Sequence, residues 1–199
     1  LNNLVKTQET FTEDGYLRTG DMGSLEVSPN REESLLRITG RIKELVITAG
    51  GENVAPVPIE DKIKYACPLI SNVMLIGDRK KFLSVLVTLR VLINPDTLMP
   101  TDEVDSNCRI VLEKEGINST KIAYIRNHQR VREMVQDAIN KYNSNAVSNA
   151  QKVQKFRILD TDFSVPGGEL TESQKLKRKV VLEKYQSIIS DMYLTNIKL

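Results

Sequence analysis

The sequence predicts an α+β fold. Short apolar runs bounded by turn residues occupy residues 1–100, a long stretch of helical period follows, and the two kinds of segment intermix without regular strand–helix–strand alternation. Residues 1–42 hold the turn signals Asp14-Gly15 and Thr19-Gly20-Asp21. Two strand-like runs, Leu25-Glu26-Val27 and Leu35-Leu36-Arg37-Ile38, flank the polar Ser28-Pro29-Asn30. Further strands are predicted at Leu45 to Thr48, Val73 to Ile76 and Phe82 to Leu89, the last two joined as a hairpin through Gly77 to Lys81. Ile59, Ile63 and Ala66 recur at helical spacing, with Pro58 suited to a first turn because its missing N–H is not needed there.

Residues 101–150 read as helical. Val131, Met134, Val135, Ala138, Ile139 and Tyr142 form one apolar stripe of period 3.6, and the polar Asn143 to Asn149 reads as its exposed end. A strand is predicted at Phe156 to Leu159. Gly167-Gly168 then breaks the chain before a basic helix from about Lys175 to Tyr193.

Composition narrows the function classes. The 199 residues are 40% hydrophobic, with 28 basic and 26 acidic side chains and a formal charge of +2. That balance argues against a dedicated nucleic-acid binder, which presents a strongly basic domain. No apolar run approaches the length of a membrane span, and no basic-then-apolar leader opens the chain. Cys67 and Cys108 are too few for a disulfide scaffold and are expected to be ordinary reduced residues. The single His128, expected to be exposed, lacks partners for a metal site or a triad, so no metal ligands are predicted. Tyr65, Tyr124 and Tyr142 are expected to be packing residues. The expectation is a soluble, cytoplasmic protein, with peripheral association at internal membranes. The start at Leu1, without Met and without a preceding helix or strand signal, suggests a piece of something longer.

Three segments could carry chemistry. In Tyr16-Leu17-Arg18-Thr19-Gly20-Asp21 a carboxylate follows a tight turn, where it can accept hydrogen bonds from paired hydroxyls such as those of a ribose; ordinary turn chemistry accounts for it equally. Gly40-Arg41-Ile42-Lys43-Glu44 leads through a short strand to Ala49-Gly50-Gly51-Glu52-Asn53. Adjacent glycines permit close approach to a ligand or simply a tight turn. They are not a P-loop, whose GxxxxGK[ST] pattern is absent from the chain. Gly167 to Lys179 places lysines after a flexible loop, where one could neutralise developing phosphate charge or lie on a solvated basic face.

In this order and at these separations the segments resemble the closing part of the adenylate-forming (acyl-activating) enzyme superfamily. The likeness runs through Asp14-Gly15-Tyr16, Arg18-Thr19-Gly20-Asp21, the stretch Ile38 to Glu60, and the Thr171-x-Ser173-x-Lys175 pattern. Gly50-Gly51-Glu52-Asn53-Val54 with Pro56-x-Pro58-Ile59-Glu60 is similar to the long-chain fatty-acyl-CoA synthetases, most of all the bubblegum type. Ile70 to Asp78, Lys81-Phe82-Leu83 and Phe163-Ser164 ahead of Gly167-Gly168-Glu169-Leu170 point the same way.

The resemblance implies a strand pair left from a large domain (1–42) followed by a small mobile α+β domain (43–199). It implies a ligase joining fatty acid, ATP and CoA through an acyl-adenylate with Mg2+. Asp21 would hold ribose hydroxyls with help from Arg41, Lys43 would be the hinge, and Lys175 would reach the α-phosphate and carboxylate during adenylation. Gly50 and Gly51 would line the CoA passage. The phosphate loop, fatty-acid tunnel and magnesium-binding glutamate of the superfamily are not in these residues, so the chain by itself is expected to be inactive. Relatives often carry Gly where Gln174 precedes the motif lysine, leaving Lys177 as an alternative, and the loop Ser28 to Glu33 lacks their Asp-Gly turn. The rival expectations are a ligase for another acid, medium-chain or aryl, or a non-catalytic module binding acidic partners or membranes through Lys175 to Lys184.

Overall fold

The computed structural model describes residues 3–27 and 34–194. The chain opens with a short helix, α1 (Leu4–Thr10), where the sequence predicts no element. Strands β1 (Asp21–Val27) and β2 (Ser34–Arg41) pair antiparallel with Asp21 opposite Arg41. The predicted Ser28-Pro29-Asn30 turn and the rest of the Ser28 to Glu33 loop lie outside the described residues. A 3-10 turn, Ile42–Glu44, leads to the two-residue strands β3 (Val46–Ile47) and β4 (Asn53–Val54), which also pair antiparallel.

Helix α2 (Pro56–Ala66) begins two residues earlier than Pro58, on another proline, Pro56. It leads into β5 (Ile70–Ile76) and β6 (Leu83–Leu89), the predicted hairpin. A second hairpin follows, β7 (Val91–Ile93) with β8 (Pro100–Val104), then α3 (Ser106–Lys114), α4 (Ile122–Ile125) and α5 (Gln129–Asn143). Strand β9 (Val153–Ile158) runs parallel to β6, giving the central sheet the order β5-β6-β9. Helices α6 (Arg178–Lys184) and α7 (Gln186–Leu194) close the chain.

The central sheet is covered on both faces, which explains why every residue from Leu83 to Leu89 is buried, Ser84 and Thr88 included. Alternation along the strands sorts the side chains into two cores. Val73, Leu75, Val85 and Val87 pack with Ile59 and Ile63 of α2 and the Val131, Val135, Ala138, Ile139 stripe of α5. Met74, Ile76 and Leu86 face the other way, against Val181, Tyr185, Ile189 and Met192 of α6 and α7. Each buried Val, Ile, Leu or Met contributes roughly 1.5–3 kcal/mol relative to exposure. Tyr193 latches the end of α7 to the sheet, stacking on Phe82 at 4.7 Å and sharing a hydrogen bond with Ser84 Oγ at 2.8 Å.

Several expectations are corrected. Residues 101–150 are not continuously helical: Pro100–Val104 is a strand, and three separate helices follow. The basic helix begins at Arg178 rather than Lys175 and breaks at Tyr185. Tyr142 is buried, but Tyr65 and Tyr124 are exposed, because both lie on solvent faces of their helices. His128 is half-buried rather than exposed; it caps α5, its Nδ1 accepting from the Arg130 amide at 3.2 Å. The polar end of α5 is tied down: Asn143 Nδ2 donates to the Val153 carbonyl at 2.8 Å and its Oδ1 accepts from the Val153 amide at 2.9 Å. Cys67 and Cys108 are buried and free.

Candidate functional site

Between the β1–β2 pair and the helix-covered sheet lies a cleft of ≈ 590 Å³. Asp21 and Arg41 line it from the strand pair, Glu60 and Lys64 from α2, Asn72 from β5, and Lys175 and Arg178 from the segment leading into α6. Three residues singled out from separate motifs, Asp21, Arg41 and Lys175, therefore border one space.

The local sequence shapes each wall. Gly20 takes φ +78°, a conformation glycine adopts without a Cβ penalty, and its carbonyl accepts from the Ile42 amide at 2.8 Å. That bond ties the start of β1 to the end of β2. Asp21 donates its own amide to Thr19 Oγ1 at 3.1 Å, and Arg41 Nε lies 3.3 Å from Asp21 Oδ1. An open ion pair of this kind contributes about 1 kcal/mol or less, and the carboxylate keeps lone pairs for a hydroxylated ligand.

Lys175 sits on a tight loop closed by the Leu170–Leu176 bridge. The Thr171 amide donates to the Lys175 carbonyl at 2.8 Å, and the Lys175 amide donates to Thr171 Oγ1 at 3.0 Å. The motif threonine thus fixes the lysine's backbone from both sides while its side chain stays exposed. Gln174, standing where relatives often carry Gly, adopts φ +61°, the left-handed region in which a side chain costs about 1–2 kcal/mol.

Two acidic residues of low exposure, Glu60 and Glu169, hold this segment to the body; the sequence shows both within motifs but not whom they pair with. Glu60 receives both guanidinium nitrogens of Arg178 at 2.6 Å and also accepts from the Leu75 amide at 2.6 Å. Burial opposes the charge on Arg178, but hydrogen bonding to Glu60 and that carboxylate's charge outweigh it and hold the guanidinium pKa above its usual value. Glu169, almost fully buried, pairs with Lys184, and its carbonyl accepts from the Lys177 amide at 2.7 Å. The sequence cue to Glu60 is its place at the end of the Pro56-x-Pro58-Ile59-Glu60 motif, which gives no hint of its partner. Arg178 is indistinguishable from its basic neighbours until the chain folds.

Not every predicted residue joins the cleft. Lys43 lies in the Ile42–Glu44 turn and lines an adjoining groove with Arg18 and Thr19. Gly50 and Gly51 form the turn between β3 and β4, where Gly51 has φ +79° and donates to the Thr48 carbonyl at 2.9 Å; neither borders the cleft. Lys177 does not line it either. The run Lys175 to Lys184 is less free than its charge suggests, since Arg178 and Lys184 are committed to Glu60 and Glu169. Among the described residues no group of three or more His, Cys, Asp or Glu could hold a metal ion, and no helix is long and apolar enough to cross a membrane.

Residues 43–114, which hold the first strands of the helix-covered sheet, match the AMP-binding enzyme C-terminal domain. The fold is similar to part of two solved adenylation domains. The adenylation domain of a carboxylate reductase from Mycobacterium chelonae superposes with a TM-score of 0.65 at 22% identity, over 97% of this chain and 25% of that one. The corresponding domain from Segniliparus rugosus, solved with AMP and a carboxylic acid, gives 0.64 at 22% identity, over 97% and 26%. Among curated proteins the chain is 47% identical over 195 residues to long-chain-fatty-acid–CoA ligase ACSBG2 of Gallus gallus, covering 97% of this chain and 25% of the relative. It is 45% identical over 195 residues to ACSBG1 of Homo sapiens, covering 97% and 26%. The chain thus spans about a quarter of the length of the relatives it matches.

Proposed function

We propose that this chain is the closing segment of a long-chain fatty-acid–CoA ligase, acting in the cytoplasm or at the surface of internal membranes. The observation that carries the reading is the convergence of Asp21, Arg41 and Lys175 on one cleft. In the reaction a fatty-acid carboxylate attacks the α-phosphorus of ATP, giving an acyl-adenylate and releasing pyrophosphate. The CoA thiol then attacks the acyl carbonyl, giving acyl-CoA and releasing AMP.

Asp21 would accept hydrogen bonds from the ribose hydroxyls, with Arg41 holding its carboxylate in place. Lys175 would supply positive charge to the α-phosphate oxygens and the incoming carboxylate, where negative charge accumulates as the phosphoryl group transfers. Residues 1–42 would be the end of a large domain and 43–199 a small domain turning about Lys43, a gating motion that would carry Lys175 away and bring the Gly50-Gly51 turn to the CoA arm. The donor set for Mg2+ does not occur among the described residues, so no step here runs through the metal. Lys175 is favoured over Lys177 because only Lys175 borders the cleft.

The test separates the half-reactions in a full-length ligase containing this segment. Lys175→Ala is expected to lower pyrophosphate release from fatty acid and ATP by about a hundredfold or more. Acyl-CoA formation from supplied acyl-adenylate should stay within about threefold, since that step does not call on a cation at the α-phosphate. Equal loss in both steps would remove the role given to Lys175. The 199-residue chain alone should release no pyrophosphate; turnover there would overturn its reading as a segment.

A further inference from the structure

We propose that the Glu60–Arg178 pair is a positioning device for Lys175, a role that rests on the ligase reading above. Arg178 follows Lys175 by three residues, at the first position of α6, so its placement fixes where the motif loop leaves the body. The pair is two-pronged, with both guanidinium nitrogens at 2.6 Å from separate oxygens of Glu60, a geometry that sets orientation as well as distance. Glu60 is itself held in two elements: its side chain grows from α2 and accepts the Leu75 amide of β5 at 2.6 Å. The two charged groups are largely buried, at 10% and 20% side-chain exposure, and both border the cleft that Lys175 enters.

These facts distinguish the pair from a surface ion pair. A buried charge pair adds little net stability over well-packed apolar residues, so stability alone does not account for the Glu60–Arg178 pair. Here it connects α2 and β5 to the start of α6, and the loop from Thr171 to Lys175 hangs between that anchor and the Glu169 anchor, whose carbonyl takes the Lys177 amide. With its guanidinium engaged by Glu60, Arg178 is committed to the body of the fold, whereas the Lys175 side chain is exposed at the cleft. A lysine that must meet charge on a phosphorus needs its backbone held to within a fraction of an ångström, because catalytic groups displaced by about 1 Å lose on the order of a hundredfold in rate.

The critical variant is Arg178→Lys, which keeps the charge but loses the two-pronged fork. It is made in the full-length ligase containing this segment, alone and combined with Lys175→Ala. The expected result is a tenfold or larger fall in kcat for pyrophosphate release, with KM for ATP and acyl-CoA formation from supplied acyl-adenylate both within about threefold. In the Lys175→Ala background the same change should add less than a twofold loss, because the device has no lysine left to position. A full additional loss in that background, or equal loss in both half-reactions, would overturn the proposal and make the pair merely structural. Unchanged pyrophosphate release in Arg178→Lys would also overturn it while leaving the ligase reading standing. Unchanged release in Lys175→Ala would overturn that reading, and the positioning role with it.

Discussion

The two antiparallel strand pairs β1–β2 and β5–β6 both carry Leu, Ile and Val and end in opposite environments. In β5–β6 nearly every side chain is buried, because helices cover both faces of the sheet. In β1–β2, Leu25 and Leu36 stay 73% and 68% exposed, and Val27, Leu35 and Ile38 are exposed as well. Leu25, Leu36 and Ile38 share one face of the pair, which leaves apolar side chains open to solvent. The difference teaches that apolar pattern makes a strand but only covering layers make a core. The cleft lies on the seam between the finished unit and the uncovered pair, with Lys175 contributed by one and Asp21 with Arg41 by the other.

The contrast can be broken most directly by truncation. Leu86→Ala, at a fully buried position, should cost about 2–5 kcal/mol in urea unfolding of the 199-residue chain, whereas Leu36→Ala should change stability by about 0.5 kcal/mol or less. Equal losses would show that the strand pair is as fully covered as the central sheet.

Alkaline titration sharpens the same comparison, since the groups whose pKa values are raised all belong to the covered unit. Burial, aided by the nearby charge of Asp105, pushes the Cys108 thiol up to about 12, and burial pushes the Tyr142 hydroxyl up to about 12. Burial with the charge of Glu169 does the same to Tyr185. The folded chain therefore keeps these protons at pH values where the unfolded chain has released them. Their contribution is fully present below about pH 9 and is lost as pH rises toward about 12. Urea midpoints should hold steady from about pH 7 to about pH 8.5 and then fall. A midpoint that rises or stays flat to about pH 11 would contradict the burial of these groups.

The smallest effect sits at the seam. Gln174→Gly removes a side chain from a left-handed backbone position and should raise stability by about 1 kcal/mol or less, because glycine's greater freedom in the unfolded chain offsets part of the relief. A shift of thermal midpoint in the opposite direction would mean that Gln174 gains more from its surroundings than its backbone costs.

Much of this was legible before folding. The strand runs, the α5 stripe and the β5–β6 hairpin follow from period and turn chemistry, which act over a few residues. The motifs at Asp21, Arg41 and Lys175 were legible as candidates for the same local reason. The sequence places the start of the last helix too early because Lys175 to Lys177 carry good helix propensity, yet the Thr171–Lys175 hydrogen bonds hold them in a loop. Strand β8 is not legible in the sequence because its residues gain extended structure by pairing with β7.

By itself, then, the sequence determined the α+β class and the main strands and helices around the central sheet, and it named Asp21, Arg41 and Lys175 among its candidate site residues. Only the tertiary structure decided that those three share one cleft, that Gly50, Gly51 and Lys43 lie outside it, and that Glu60 clasps Arg178 beside it. The physical reason is range. Propensity, period and turn geometry are set by neighbours along the chain, whereas a cleft and a buried ion pair exist only once distant segments exclude water between them.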